Sequence, residues 1–390
     1  MKILITILVL LSLSFAGYAA PAIHVGEQDL QAVIKAAEPH STIVADRNRE
    51  IEITQTIIID KPVTLVGLNA RLKSGLEKTS ILSVIAENVR IRDFHLVGNA
   101  DSVPQEGRAP LIVVRRGHFI IENGVTDNSS KDGVMVTPVP EYGDIEHGVI
   151  RNITSKGTVR DTVSIAGAGE LGLFVRHVLV ENIRAYDSSL RGPVEASDGS
   201  EYITIRDIYA EGCRYGVDIQ DHSKKKQVNR HITIDGLHVK NSKMAIRTGN
   251  HDFGHDGLTI RNVTGSDWVA DKEPPFRLDN TSNVHVENVR LYGCQAGPCM
   301  RIRNSDNVTL RDITFIDGGH DGPSLLIEDG QDVLIDNLTI TGVKQPQFGV
   351  VYRMKSDEKF GGLRIRNVVA PNVRETGIVL ENKSESGRLE

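Results

Sequence analysis

The chain has 390 residues, 39% hydrophobic and 25% charged, with 36 glycines and 14 prolines, which describes an ordered globular protein rather than a disordered or collagen-like one. Its 45 Lys and Arg against 51 Asp and Glu leave a net charge of -6, without the basic excess that grips a phosphate backbone. Nine Phe, eight Tyr and one Trp are too few for the stacking platforms of single-strand binders, so nucleic acid is excluded as a partner.

At the N-terminus, Lys2 precedes an apolar run from Ile3 to Phe15, then Gly17 and Ala19 ahead of Pro21. The run is shorter than the ~20 residues of a spanning helix, and the small residues suit cleavage after Ala19, so residues 1–19 read as a signal peptide. No later segment is long and apolar enough to cross a membrane, and no Cys follows the cleavage region as a lipid anchor would require. The mature protein is therefore expected to be periplasmic or secreted, with no membrane span. Three cysteines are too few for a disulfide framework; Cys294 and Cys299 are near enough to bridge locally, and Cys213 reads as a small buried residue.

Next comes a segment, Gln28 to Ala37, that places Leu30, Val33, Ile34 and Ala37 on one face of a short helix ahead of strand-like residues. From about residue 60 one phrase keeps returning, of alternating aliphatic and polar residues followed by Asn or Asp. The Asn or Asp slot falls at Asp93, Asn123, Asn152, Asn182, Asp207, Gly236 as the one exception, Asn262, Asn288, Asp312, Asn337 and Asn367. Steps of 24 to 30 residues are the signature of a solenoid. Val, Ile and Thr rather than Leu dominate the phrase, which suits strands and disfavours leucine-rich repeats.

Each coil carries a second short strand, as in Thr162 to Ala166, Pro193 to Ser197, Gly216 to Gln220, Ala245 to Gly249, Pro275 to Asp279 and Cys299 to Arg303. Alternation points Val217, Ile219, Phe276, Leu278, Met300 and Ile302 inward and Asp218, Arg277 and Arg301 outward. The economical solution is an all-β fold, a right-handed parallel β-helix with a short N-terminal capping helix, its coils ~4.8 Å apart and buried Asn side chains laddered at the turns. The chain divides into residues 20–60 for the cap and first strands, 61–382 for the helix and 383–390 for a polar tail. The arrangement resembles the pectate-lyase-like β-helix superfamily over essentially the whole mature chain, a resemblance that implies a fold and not a reaction. Nothing in the sequence closes the C-terminal end, which leaves it to a loop or to a second subunit.

Stacking the second strands produces an outward column: Met135, Ser164, Glu195, Asp218, Arg247, Arg277, Arg301, Leu326. Gln220, Asp279 and Arg303 share the next outward slot. Three arginines in ~5 Å steps need anions against them, either protein carboxylates or an acidic ligand. Both readings stay open, since Glu195, Asp218 and Asp279 could neutralise the arginines in ion pairs of little consequence. Loops beyond add Asp221, His222, Lys224 and His251. His251 with His255 has the spacing of a metal pair only on a helix, and Glu195, Asp218 and Asp221 are hard oxygen ligands that could hold Ca²⁺.

Two shorter resemblances point the same way. Arg214-Tyr215-Gly216-Val217-Asp218-Ile219-Gln220 resembles the Tyr-Gly-Phe-Asp-Pro-His signature of mannuronan C5-epimerases, which implies catalytic roles for Tyr215 and Asp218. Gln220 stands where that signature has its histidine, and His222 lies two places later. Arg247-Thr248-Gly249-Asn250 is similar to the Arg-His-Gly segment of β-helix lyases acting on alginate and dermatan sulfate, implying a catalytic arginine at Arg247 and a lysine best supplied by Lys224.

The resulting expectation is an enzyme acting on a uronate-containing polysaccharide, foremost a lyase working by β-elimination. Tyr215, Asp218, His222, Lys224 and Arg247 would be catalytic, and Glu195, Gln220, His251, Arg277, Arg301 and Arg303 substrate-binding. Removing the proton α to a uronate carboxylate requires its charge to be neutralised, by Arg, Lys or a cation. A C5-epimerase needs the same groups. A glycoside hydrolase would instead use Glu195 and Asp218 as paired carboxyls, and a non-catalytic binding protein would share the fold and the groove.

Overall fold

The computed structural model describes residues 22–222, 227–249, 254–269, 273–294, 297–319, 321–354, 362–382 and 387–389. The expected signal peptide, residues 1–19, lies outside them, as do Lys224 and His251.

Alternating aliphatics wind the chain into a parallel β-solenoid. One wall is a 14-stranded sheet of short strands, from Ile57–Ile59 through Val163–Ala166, Val194–Ser197, Tyr215–Gln220, Met244–Thr248, Phe276–Asp279 and Met300–Arg303 to Thr376–Asn382. It includes Phe348–Met354, a coil that the sequence reading passed over. The second sheet is made of longer strands that bend round the remaining sides.

The bends have a local cause. Every Asn or Asp slot of the repeat sits at positive φ, from 50° to 66° for the ten positions other than Gly236, for example Asn123 at 55° and Asn152 at 57°. This left-handed region is tolerated by Asn and Asp because their short polar side chains bond locally. A second left-handed residue lies five positions earlier in each coil, as at His147 and Asn152 or Asn283 and Asn288. The ladders are real, with Asn152 Nδ2 donating to Asn123 Oδ1 at 2.8 Å, Asn182 to Asn152 at 2.8 Å and Asn288 to Asn262 at 2.7 Å. They correct one expectation: the side chains run along the outside of the corner, exposed, because a left-handed residue at an outer bend turns its Cβ to solvent.

Inside, the predicted inward residues Val217, Ile219, Phe276, Leu278, Met300 and Ile302 are all fully buried in one continuous aliphatic core. Full burial of side chains of this size contributes roughly 1.5–3 kcal/mol each before entropy is counted. A short helix, Leu30–Ala36, begins at Asp29, whose carboxylate accepts from Ala32 N at 2.8 Å. At the other end the expected polar tail contains a strand, Gly387–Leu389, paired antiparallel with Leu380–Asn382. That pairing occupies the edge left by the last parallel strand. No helix among the described residues is long and apolar enough to cross a membrane.

Candidate functional site: an ionic strip on the outer face of one sheet

Strand pairing reproduces the outward column residue for residue. Met135 lies beside Ser164, Ser164 beside Glu195, Glu195 beside Asp218, Asp218 beside Arg247, Arg247 beside Arg277, Arg277 beside Arg301 and Arg301 beside Leu326. Asp279 pairs with Arg303 in the next outward slot. The column faces outward but its charged part is not open: Glu195 and Asp218 are fully buried, Gln220 and Arg277 nearly so, while Arg247 and Arg301 retain some exposure.

What covers the acids is a set of arginines that the column did not include. Arg160 reaches Glu195 Oε2 at 3.1 Å, and Arg191 Nη1 bridges Glu195 Oε1 at 3.0 Å and Asp218 Oδ2 at 2.6 Å. Arg247 grips Asp218 with both Nε, at 2.8 Å, and Nη2, at 2.7 Å, the fork geometry for which guanidinium is suited. Gln220 also donates to Asp218, and Ser164 Oγ donates to Glu195 at 3.1 Å. Burial pushes Glu195 up, but Arg191 and Arg160, then His222, hold it below the ordinary carboxylate range. Burial prevails at Asp218 and raises it against the pull of Arg247.

This arrangement decides several expectations. The calcium reading of Glu195, Asp218 and Asp221 fails because guanidinium groups occupy the carboxylate oxygens that a cation would need. Asp221 instead accepts from Gly254 N at 3.2 Å. Among the described residues no group of three or more His, Cys, Asp or Glu is placed to hold a metal ion. His255 is fully buried, its Nδ1 3.1 Å from Asn229 Nδ2, and burial lowers it to about 4, so it is a neutral core group. Tyr215 is 3% exposed and lies under the Arg247 guanidinium, 4.2 Å from its ring centroid. There it supports the arginine through a cation–π contact rather than facing a substrate. Glu195 and Asp218 share Arg191, which fills the space that a glycosidic bond would need between two catalytic carboxyls.

One coil to the side, a second ionic cluster has the opposite balance. Asp279, fully buried, takes Arg277 Nε at 2.7 Å, Arg301 Nη2 at 2.9 Å and Arg303 Nη2 at 3.0 Å. Asp279 thus takes three guanidinium groups, with Glu273 at 3.7 Å from Arg277 and buried Glu328 beside Arg303 in the strand register. Burial first, and then the neighbouring Arg301 and Arg247, lower Arg277. An open groove of about 1090 Å³ is lined by Arg303 and Arg230, by the carboxylates of Asp256, Asp306 and Asp329, and by Asn280, Ser282 and Gln331.

The accessible titratable group of the strip is His222. Its backbone N donates to Asp198 Oδ1 at 2.8 Å and its Nδ1 meets Asp198 Oδ2 at 2.7 Å. Nε2 lies 4.0 Å from Glu195 Oε1, and the side chain is 39% exposed. The hydrogen bond to Asp198 raises its pKa against the effect of burial. Asp198 was not foreseen, because it lies in a turn whose position the strand register does not fix. Asp132 and Asp161 were also missed, although Lys131-Asp132-Gly133-Val134 and Arg160-Asp161-Thr162-Val163 repeat one phrase just before an inward Val.

Residues 229–389 match the family model described as a right handed beta helix region. Among curated proteins no sequence relative is found. Solved structures of similar shape include the A-module of a mannuronan C-5 epimerase from Azotobacter vinelandii, with TM-score 0.62 and 15% identity over 89% of this chain and 91% of that one. The N-terminal fragment of bacteriophage Phi29 gene product 12 has TM-score 0.70 and 14% identity over 91% and 68%. A PL6 alginate lyase in complex with a trisaccharide has TM-score 0.57 and 10% identity over 93% and 89%. With strand order, register and these likenesses in agreement, the chain is a right-handed parallel β-helix resembling the pectate-lyase-like superfamily.

Proposed function

We propose that the protein is an extracytoplasmic carbohydrate-active enzyme acting on a uronate-containing polysaccharide, by β-elimination. The observation that carries this reading is the surplus of guanidinium groups around Asp279, beside Arg247 and at the mouth of a polar groove. Such a surplus attracts an anion, and planar forks suit a carboxylate. The epimerase and alginate lyase of similar fold support the substrate class. The extracytoplasmic location rests on residues 1–19.

With one uronate carboxylate against Arg247, the guanidinium group beside Asp218, and others along the polymer against Arg277, Arg301 and Arg303, the C5 proton of the first becomes acidic because the charge that develops on its carboxylate oxygens is compensated. A base takes that proton, the C5–H electrons form the C4=C5 bond, and the C4–O4 pair leaves with O4, which gains a proton. His222, oriented by Asp198 and with its side chain 39% exposed, is the described side chain equipped to exchange these protons. Return of the proton to the opposite face of C5 would give an epimerase; the shape of the mannuronan epimerase module favours keeping that reading second.

The test is incubation with alginate, pectate and glycosaminoglycans. Growth of ultraviolet absorbance from unsaturated uronate ends marks a lyase, and inverted C5 stereochemistry by NMR without it marks an epimerase. Reducing ends alone, or no change with any polymer, would reject the proposal. His222→Gln is expected to stop turnover while leaving the far-ultraviolet circular dichroism spectrum of the parent unchanged.

A further inference from the structure

Beneath the arginines lies a group of acids for which the strip, as described, has too few partners. Asp132 and Asp161 are fully buried on successive coils, behind Glu195 and Asp218. Four carboxyls therefore meet three guanidinium groups within ion-pair reach, namely Arg160, Arg191 and Arg247. Lys131, half-buried, contacts Met135 Sδ at 3.8 Å and makes no ion pair among the described residues. Asp198 and His222 form a pair of their own.

The shortfall falls on one side chain. Glu195 and Asp218 are saturated with donors. Asp132 Oδ1 accepts from Asp161 N at 3.2 Å, leaving Oδ2 without a partner. Asp161 has no hydrogen bond to either carboxyl oxygen, and its closest cation, Arg160 Nη2, is 3.8 Å away and committed to Glu195. An ionised carboxylate taken from water and left without donors is far costlier than a neutral one. A metal ion is not the remedy, because Arg160 already stands between Asp132, Asp161 and Glu195.

We propose that Asp161 is held as a neutral carboxylic acid at neutral pH, the uncharged member of the buried acid group beneath the arginines. The groups facing Asp161 are Asp132, Glu195, Arg160, Arg191 and the thiol of Cys213. Burial, then the charges of Glu195 and Asp132, raise it well above an ordinary Asp, which agrees with the geometry. The neutral state of Asp161 does not rest on the proposed function.

The experiment is infrared difference spectroscopy of the full chain at neutral pH, comparing the parent with Asp161→Asn and Asp132→Asn, together with melting temperatures from pH 4 to 9. The expected result is a neutral-carboxyl carbonyl band that disappears in Asp161→Asn and persists in Asp132→Asn. An acid whose folded pKa is raised withdraws stability as pH climbs through that pKa. Asp161→Asn, which mimics the neutral form, should therefore melt above the parent at pH 8 and close to it at pH 4. Absence of the band, its loss in Asp132→Asn instead, or an Asp161→Asn variant that loses stability as pH rises would each overturn the proposal. None of these readouts needs a substrate, so a failed polymer assay leaves them intact.

Discussion

The arginine cluster around Asp279 makes a quantitative claim. Asp279→Asn preserves the shape of the side chain and removes the charge that three guanidinium groups share. Removing one partner of a buried ion pair typically costs about 3–5 kcal/mol, because the other charge is left uncompensated. Arg301 and Arg303, at 19% and 30% side-chain exposure, can turn to water, whereas Arg277, at 8%, cannot. The cost should thus fall at the lower end, about 3 kcal/mol. Urea unfolding followed by far-ultraviolet circular dichroism measures it without adding competing ions. Sulfate supplies the second half of the test, since an anion that binds only the folded state at ten times its dissociation constant restores about 1.4 kcal/mol. The variant should recover stability with sulfate more steeply than the parent. A loss below about 1 kcal/mol, the range of solvated surface pairs, with no difference in sulfate response would refute the idea that these arginines form an anion site.

Three further outcomes are expected. Asp198→Asn should lower the His222 pKa, read from imidazole proton shifts by NMR. Because the folded pKa is raised by Asp198, the stability the pair confers is full below about pH 6.5 and is lost as pH rises through the folded pKa; the variant should therefore be penalised at pH 5.5 and barely at pH 9. Arg247→Ala should reduce turnover by roughly a hundredfold or more, and an unchanged rate would remove Arg247 from the site. Gly236→Asn fills the gap in the outer ladder: φ there is 82° and an added Cβ would meet Asp207 Oδ1 at 3.1 Å, so an amide can donate to a carboxylate that the ladder leaves unbonded. A stabilisation of about 1 kcal/mol in urea melts is expected, and a destabilised variant would contradict the ladder's contribution.

The winding and its register were legible because they depend on a period. An αL position accepts few residue types, so the Asn and Asp slots recur visibly, and alternation then assigns each strand's faces. The same rule carried a signal that went unread. Five residues before the Asn slot stand His118, His147, His177, Tyr202 and His231, and these rings stack along the outside with centroids 4.7 to 5.2 Å apart. Burial was not legible. An outward strand residue is exposed only if nothing lies over it, and Arg160 and Arg191 reach over Glu195 and Asp218 from turns before the strands. Turn residues are fixed by tertiary packing, which is also why Asp198 was invisible while its partner His222 was not. The Tyr215 to Gln220 segment looked catalytic because its residue types matched a signature, yet position turned Tyr215 into a support beneath Arg247.

The column itself argues that the charges serve something other than the fold. Its outward slot holds Val113 and Met135 on one side of the ionic strip and Leu326 and Val351 on the other, in the same register and the same sheet. Aliphatic residues are therefore sufficient to cover this face of the coil. Between them, from Glu195 to Arg303, the sheet buries carboxylates and guanidinium groups whose removal from water is costly and whose replacement by apolar residues is commonly neutral or stabilising. A solenoid that can be covered by Val or Leu at one coil gains no stability from Arg and Asp at the next. What the charged coils add is direction: buried acids toward the N-terminal side, guanidinium groups gathered toward the C-terminal side, and a partly exposed imidazole beside Glu195 on the acidic side. On the proposed function, a chain of acidic sugars laid along the axis would meet that gradient with carboxylates drawn to the Arg277, Arg301 and Arg303 end.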